Sequence, residues 1–150
     1  MSDREFVTFK IGGQTFGASV EEIHDVFRPA NMTPVPQSAP EVAGVLNLRG
    51  RIVTAIDARS RLGLPPDKTL DVDRLAIGVE RDGESFGLII DEIGEVLRLD
   101  EDDLEENPVN LDGVWASVSK GVYRLDKSLL VIMDIDRMLA PPESSEAAAA

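Results

Sequence analysis

The chain has 150 residues, no cysteine, and 15 Lys/Arg against 28 Asp/Glu, a formal net charge of −13. That length holds one ordinary domain or two small modules sharing a core, and it needs no disulfide or metal staple. The charge argues against nucleic acid and anionic membrane as partners, and the missing thiols exclude disulfides, thiolate metal sites and a cysteine nucleophile.

In chain order, strands dominate. The opening Met1–Glu5 is polar and has no signal-peptide core, and no apolar run approaches the ~18 residues of a membrane span. A cytoplasmic protein without direct membrane insertion is expected. Phe6–Ile11 runs through Gly12-Gly13 into Gln14–Ala18, a hairpin with a glycine turn. The segment Ile23-His24-Asp25-Val26 reads as a short strand with His24, the single imidazole, pointing off it. Pro34 to Pro40 is a rigid loop before the strand Val42–Leu46. Asn47-Leu48-Arg49-Gly50-Arg51 then lies between two apolar strands. Gly50 permits a tight reversal there, which projects Arg49 from a constrained backbone. Ile52–Asp57 is the next strand and leads into a short Arg- and Leu-containing stretch through Leu62.

Charge is uneven. Residues 1–64 carry seven Lys/Arg and seven Asp/Glu, so the whole net −13 falls in residues 65–150. The neutral part ends in four arginines, Arg49, Arg51, Arg59 and Arg61, which read as a candidate interface cluster. Pro65-Pro66-Asp67-Lys68 punctuates the chain. Leu75–Val79 and Ser85–Ile90 flank Arg81-Asp82-Gly83 as a second hairpin, and Asp100–Asp103 before Leu104 reads as an acid-rich helix N-terminus. Residues 141–150 are expected to be a disordered tail.

The chain repeats itself. At an offset of 70, Gly13, Phe16, Gly17, Glu22, Val26 and Arg28 match Gly83, Phe86, Gly87, Glu92, Val96 and Arg98. At an offset of 77, Ile52–Asp57 matches Leu129–Asp134. Two modules follow, 5–64 and 75–140, within one domain of residues 5–140. Each is marginal alone, so they are expected to bury apolar faces against each other and to close their short strands into small barrels.

Catalytic templates fail. Ser117-Val118-Ser119-Lys120 fits the S-x-x-K spacing of penicillin-recognising hydrolases, but the companion S-D-N and K-T-G motifs are missing. A serine hydrolase using Ser117 or Ser119 with Lys120 is the enzymatic alternative. Glycine-rich phosphate loops are absent, and the acidic run at 100–106 lacks the calcium-loop glycine and final glutamate. Asp57 and Asp134 occupy matched positions at strand ends, which fits helix capping better than acid–base work. No catalytic, cofactor or metal residue is assigned, and the chain is read as a non-enzymatic binding module. Arg49 has two readings, a bidentate contact to a partner carboxylate or an internal salt bridge to Asp25.

Val42-Ala43-Gly44-Val45-Leu46-Asn47-Leu48-Arg49-Gly50-Arg51-Ile52-Val53, with Ile56-Asp57 and Leu62-Gly63-Leu64, resembles the signature of the CheW-like chemotaxis coupling family. Gly87–Leu97, Gly121–Asp126 and Leu130–Asp136 resemble that family's later segments. The resemblance implies an all-β fold with short helices, two intertwined five-stranded SH3-like barrels. It implies an adaptor that links the cytoplasmic tips of methyl-accepting chemoreceptors to the regulatory domain of a CheA-type histidine kinase. An adaptor of another chemosensory pathway, for surface motility or gene expression, is the alternative within the same class. By resemblance, Arg49 and Asp25 form the family's functional Arg/acid pair, beside Gly50 and Arg51. Met32-Thr33-Pro34-Val35 becomes the kinase-facing loop, and Val20, Ile23 and Asn47 fall in a receptor groove between modules. Glu105–Val109 is acidic where some relatives carry a basic contact to a neighbouring kinase domain.

Overall fold

The alternating segment at the start builds β1 (Asp3–Ile11), which returns through Gly12-Gly13 as β2 (Gln14–Ser19). A 3-10 turn, Val20–Glu22, leads to β3 (Asp25–Phe27). β4 (Val42–Leu48) and β5 (Arg51–Asp57) follow and are closed by α1 (Ala58–Arg61). The second half repeats the plan with β6 (Leu75–Arg81), β7 (Glu84–Ile90) and β8 (Glu92–Asp100). After a 3-10 turn, Glu101–Asp103, come α2 (Gly113–Ala116), β9 (Ser119–Arg124), β10 (Leu129–Met133) and α3 (Ile135–Leu139). This computed structural model describes residues 3–37, 39–65, 74–126 and 128–139, so most of the expected linker and the tail at 141–150 lie outside the described residues.

The strands form two five-stranded sheets, β8-β1-β2-β10-β9 and β3-β6-β7-β5-β4. Each sheet takes its opening hairpin from one half of the chain and three further strands from the other. The mainly-β, intertwined architecture expected above is the one found. The repeat persists in register. Phe16 lies against Val131 and Gly17 against Ile132 in one parallel pair, as Phe86 lies against Thr54 and Gly87 against Ala55 in the other.

One central cluster joins the sheets. Phe9, Ile11 and Phe16 from the first hairpin pack with Ile56, Ile77, Leu88 and Ile90 from the other sheet, and Leu62 and Met138 close the ends. Fully burying a side chain of this size contributes roughly 1.5–3 kcal/mol, so the exchanged hairpins are held mainly by this shared core. Smaller clusters sit at the outer ends, Phe27, Leu46, Val53, Ala55, Ala76 and Ile89 in one sheet, Phe6, Tyr123, Leu130 and Ile132 in the other.

Asp57 and Asp134 cap helices. Asp57 Oδ1 accepts from Arg59 N at 3.0 Å, and Asp134 Oδ1 accepts from Arg137 N at 3.2 Å. The acid run at 100–103 departs from expectation, because it makes a single 3-10 turn and no longer helix. Asp100 caps that turn through Asp102 N at 2.9 Å. Three residues on, Glu105 exchanges two 2.8 Å backbone bonds with Val122 of β9, and a strand edge then holds the backbone that a helix would need.

Candidate functional site

The Arg49 loop is a two-residue reversal with both residues left-handed, Arg49 at φ 52° and Gly50 at φ 84°. This twist matches antiparallel strands, and here it joins β4 to β5. Asn47 Oδ1 accepts from Gly50 N at 2.9 Å and braces the turn. Arg49 Nη1 donates to Asp25 Oδ2 at 2.9 Å, which realises the internal ion pair. Yet the Arg49 side chain is 73% exposed and that of Asp25 26%. The pair is therefore formed and presented to solvent at once. Asp25 faces Gly78 across β3 and β6, and a Cβ at Gly78 would collide with its carboxylate. Gly78 thus makes room for the acid, a role the sequence reading did not assign. Arg51 is exposed beside this pair, and the turn rims a cleft of about 240 Å³ floored by Phe27, Val53 and Phe86.

The four-arginine cluster does not survive as a surface. Arg59 turns inward, 14% exposed, and makes a 2.9 Å salt bridge to Asp91, itself only 6% exposed. Arg74 joins the same group, bidentate to Asp57 at 3.0 and 3.1 Å and 3.7 Å from Asp91. Gly12 N, from the β1–β2 turn, also donates to Asp91 at 2.8 Å, so this network ties the two sheets. Arg61 donates to the carbonyls of Met138 at 3.0 Å and Arg137 at 2.7 Å, satisfying the end of α3. Two of the four arginines are therefore structural, and Arg49 and Arg51 are the pair left facing out.

Met32 and Val35 lie on a strap along the free edge of β4. Thr33 exchanges backbone bonds of 2.8 and 2.9 Å with Val45, Met32 packs half-buried on the Phe27–Leu46 cluster, and Val35 is exposed. The strap requires Gly44, whose φ is 154° and whose Cβ would stand 2.8 Å from the Thr33 carbonyl oxygen. Val20 and Ile23 occupy the crossover between sheets. Val20 is exposed on the 3-10 turn after β2, Ile23 packs half-buried on the central core, and His24 N bonds Gly78 O at 2.8 Å in the other sheet. Asn47 sits with the Arg49 turn that it braces. Sequence reasoning missed the apolar strip on β8, where Val96 is 53% exposed opposite Val7 and Ile93 is also exposed. That β8 is the edge strand of its sheet emerges only from the strand order.

Residues 5–143 match the CheW-like domain family. The chain belongs to that family. It is 31% identical over 144 residues to the chemotaxis protein CheW of Bacillus subtilis, covering 96% of this chain and 91% of that protein. The chemotaxis protein CheW of Thermotoga maritima is 30% identical over 139 residues, with 93% and 89% covered. The crystal structure of the scaffolding protein TtCheW from Thermoanaerobacter tengcongensis superposes with a TM-score of 0.83 at 25% identity, covering 94% of this chain and 90% of that one. Membership in a chemotaxis scaffold family fits the environment of the S-x-x-K segment. Ser119 is buried and donates to Asn107 Oδ1 at 2.6 Å, and Ser117 donates to Val114 O at 2.7 Å. Lys120 lies 3.9 Å from Glu22. Each hydroxyl is thus engaged by a structural partner within the fold.

Proposed function

We propose that this chemotaxis scaffold is the adaptor coupling chemoreceptor cytoplasmic tips to the regulatory domain of a CheA-type histidine kinase, in the cytoplasm at receptor clusters and without chemistry of its own. The Arg49–Asp25 pair carries the reading. An exposed ion pair adds about 0–1 kcal/mol to stability, yet three devices serve this one: a left-handed turn, the Asn47 brace and the space above Gly78. Such placement suits a guanidinium and a carboxylate offered together to a polar partner. The Met32–Val35 strap, bonded to the β4 edge of the sheet that carries the pair, is the kinase face in this reading. The crossover residues Val20 and Ile23, with Val96 on β8 of the same sheet as β2, form the receptor face.

The test uses purified receptor signalling fragments and CheA-type kinase, with phosphorylation measured with and without this protein. Receptor-dependent kinase stimulation that needs the protein supports the role. Met32→Asp is expected to remove kinase binding and spare receptor binding, and Val96→Asp the reverse. Binding of neither fragment, or loss of both partners in each variant, would overturn the assignment of faces.

A further inference from the structure

The two outer clusters are matched by the repeat but not in chemistry. Where one sheet has Ala76, Leu46, Val53 and Ala55, the other has Phe6, Tyr123, Leu130 and Ile132. Met32 and Ala43 pack onto the first cluster. Their counterparts at the second are Leu104, exposed, and Lys120, charged, and between them a cleft of about 520 Å³ stays open. The larger side chains therefore lie under a cavity and do not fill it.

Two features give the cleft a polarity. Its floor is aromatic, the Phe6 and Tyr123 rings standing 5.6 Å apart and tilted by 58°. Its rim carries Glu21, Glu22 and Glu101. The two cations on the rim are committed, Arg4 to Glu101 and Lys120 to Glu22 at 3.9 Å. Glu21 has no ion-pair partner among the described residues. Tyr123 is 3% exposed and lines the cleft, and its hydroxyl makes no hydrogen bond among the described residues. Since no sealed side-chain polar atom is left unpaired among the described residues, that hydroxyl reaches open space. Burial raises the phenol's pKa, and the carboxylates of Glu101, Asp100 and Asp103 raise it further against the opposing Arg4. Tyr123 therefore stays a neutral phenol in a negative field, able to accept from a cation.

We propose that this cleft is a docking pocket for a cationic side chain, lysine or arginine, of a partner polypeptide. An aromatic face attracts a cation through its quadrupole, and the attraction grows when the site is partly desolvated. The apolar stem of Lys or Arg fits against Ile132 and Leu104 while its charged head meets the phenol and the carboxylate rim. A carboxylate or phosphate would meet like charge at the same rim. The site stands on its own residues, whether or not the coupling role above holds.

The test is an amide-resonance titration of the full chain with N-acetyl-arginine methylamide and with N-acetyl-citrulline methylamide, which has the same shape and no charge. The arginine probe is expected to give saturable shifts at Phe6, Leu104, Lys120 and Tyr123. Citrulline should bind about 3- to 30-fold more weakly, the range that one cation–π contact spans. Glu21→Gln and Glu101→Gln, both at the accessible rim, should weaken the arginine probe alone. Tyr123→Phe keeps the ring and should lose the smaller, hydrogen-bonding share. Equal affinity for both probes would make the cleft an apolar slot. Shifts scattered over other acidic surfaces and unmoved by the rim variants would make the effect non-specific. Either result, or no saturable shift at all, overturns the proposal.

Discussion

Replacing Arg49 with alanine separates binding from folding. The 2.9 Å contact to Asp25 is short, but the guanidinium is mostly in water and Asp25 keeps solvent access when its partner leaves. The stability at stake is therefore about 0–1 kcal/mol. In a domain of this size that is a Tm shift of no more than about 4 °C. The turn itself is held by Gly50 and the Asn47 bond, neither of which the variant touches. Loss of one charge-assisted contact to a partner is larger, about 1–3 kcal/mol, or about 5- to 150-fold in coupling. Denaturant unfolding beside kinase stimulation in the reconstituted receptor complex measures both numbers. Asp25→Asn and the double variant complete a cycle that tells whether Arg49 acts directly or by holding Asp25. Wild-type stimulation by Arg49→Ala would remove the residue from the interface. A Tm loss of about 10 °C or more would show the pair to be structural.

Asp91→Asn should cost about 3–5 kcal/mol, because it removes the buried carboxylate that Arg59 and Arg74 share inside the inter-sheet network; thermal unfolding of the variant measures this, and a loss under about 1 kcal/mol would show that water screens the site. Gly121→Ala should cost at least about 1–3 kcal/mol, since φ there is 149° and the new Cβ would stand 2.7 Å from the Glu105 carbonyl; hydrogen exchange at Glu105 and Val122 should rise with it, and unchanged exchange would contradict the dependence of the Glu105–Val122 bridge on glycine. Residues 1–68 expressed alone should not unfold cooperatively, because β1 and β2 find three of their sheet's five strands in the other half; dispersed amide resonances from that fragment would refute this. Kinase binding through Met32 and Val35 should change little between low and physiological salt, whereas contacts of the acidic second half should weaken as charge is screened over about 8–10 Å; equal salt slopes for kinase and receptor fragments would leave the charge asymmetry as a solubility device.

What could be read in advance was what repeats and what is local. Paired offsets exposed the duplicated plan, and Asp-Gly and Gly-Gly between alternating strands marked both hairpins. Asp57 and Asp134 were legible as caps because capping depends on a few adjacent residues. The Arg49–Asp25 pair was one of two readings, and its neighbours in sequence did not decide between them. Arg59 and Arg61 were misjudged for the opposite reason. Their partners, Asp91 and the Met138 carbonyl, lie 32 and 77 residues away and come into reach only through the hairpin exchange. A run of arginines looks like a surface until the topology shows which of them face a buried acid or a helix end.

The same exchange explains how a duplicated fold carries unlike faces. Register, glycines and caps recur in both halves: Gly44 and Gly121 both admit a strap, and Thr33 bridges Val45 as Glu105 bridges Val122. The straps lie on edge strands, where side chains are free of that core and can diverge. One strap brings Met32 and Val35 and the other Glu105 and Glu106; one outer cluster is closed by Met32 and Ala43, and the other opens under Leu104 and Lys120. A partner shaped for the apolar strap would meet carboxylates at the other, so internal symmetry of the backbone does not make the two ends interchangeable. That difference makes each end selective, because a surface complementary to one is not complementary to the other.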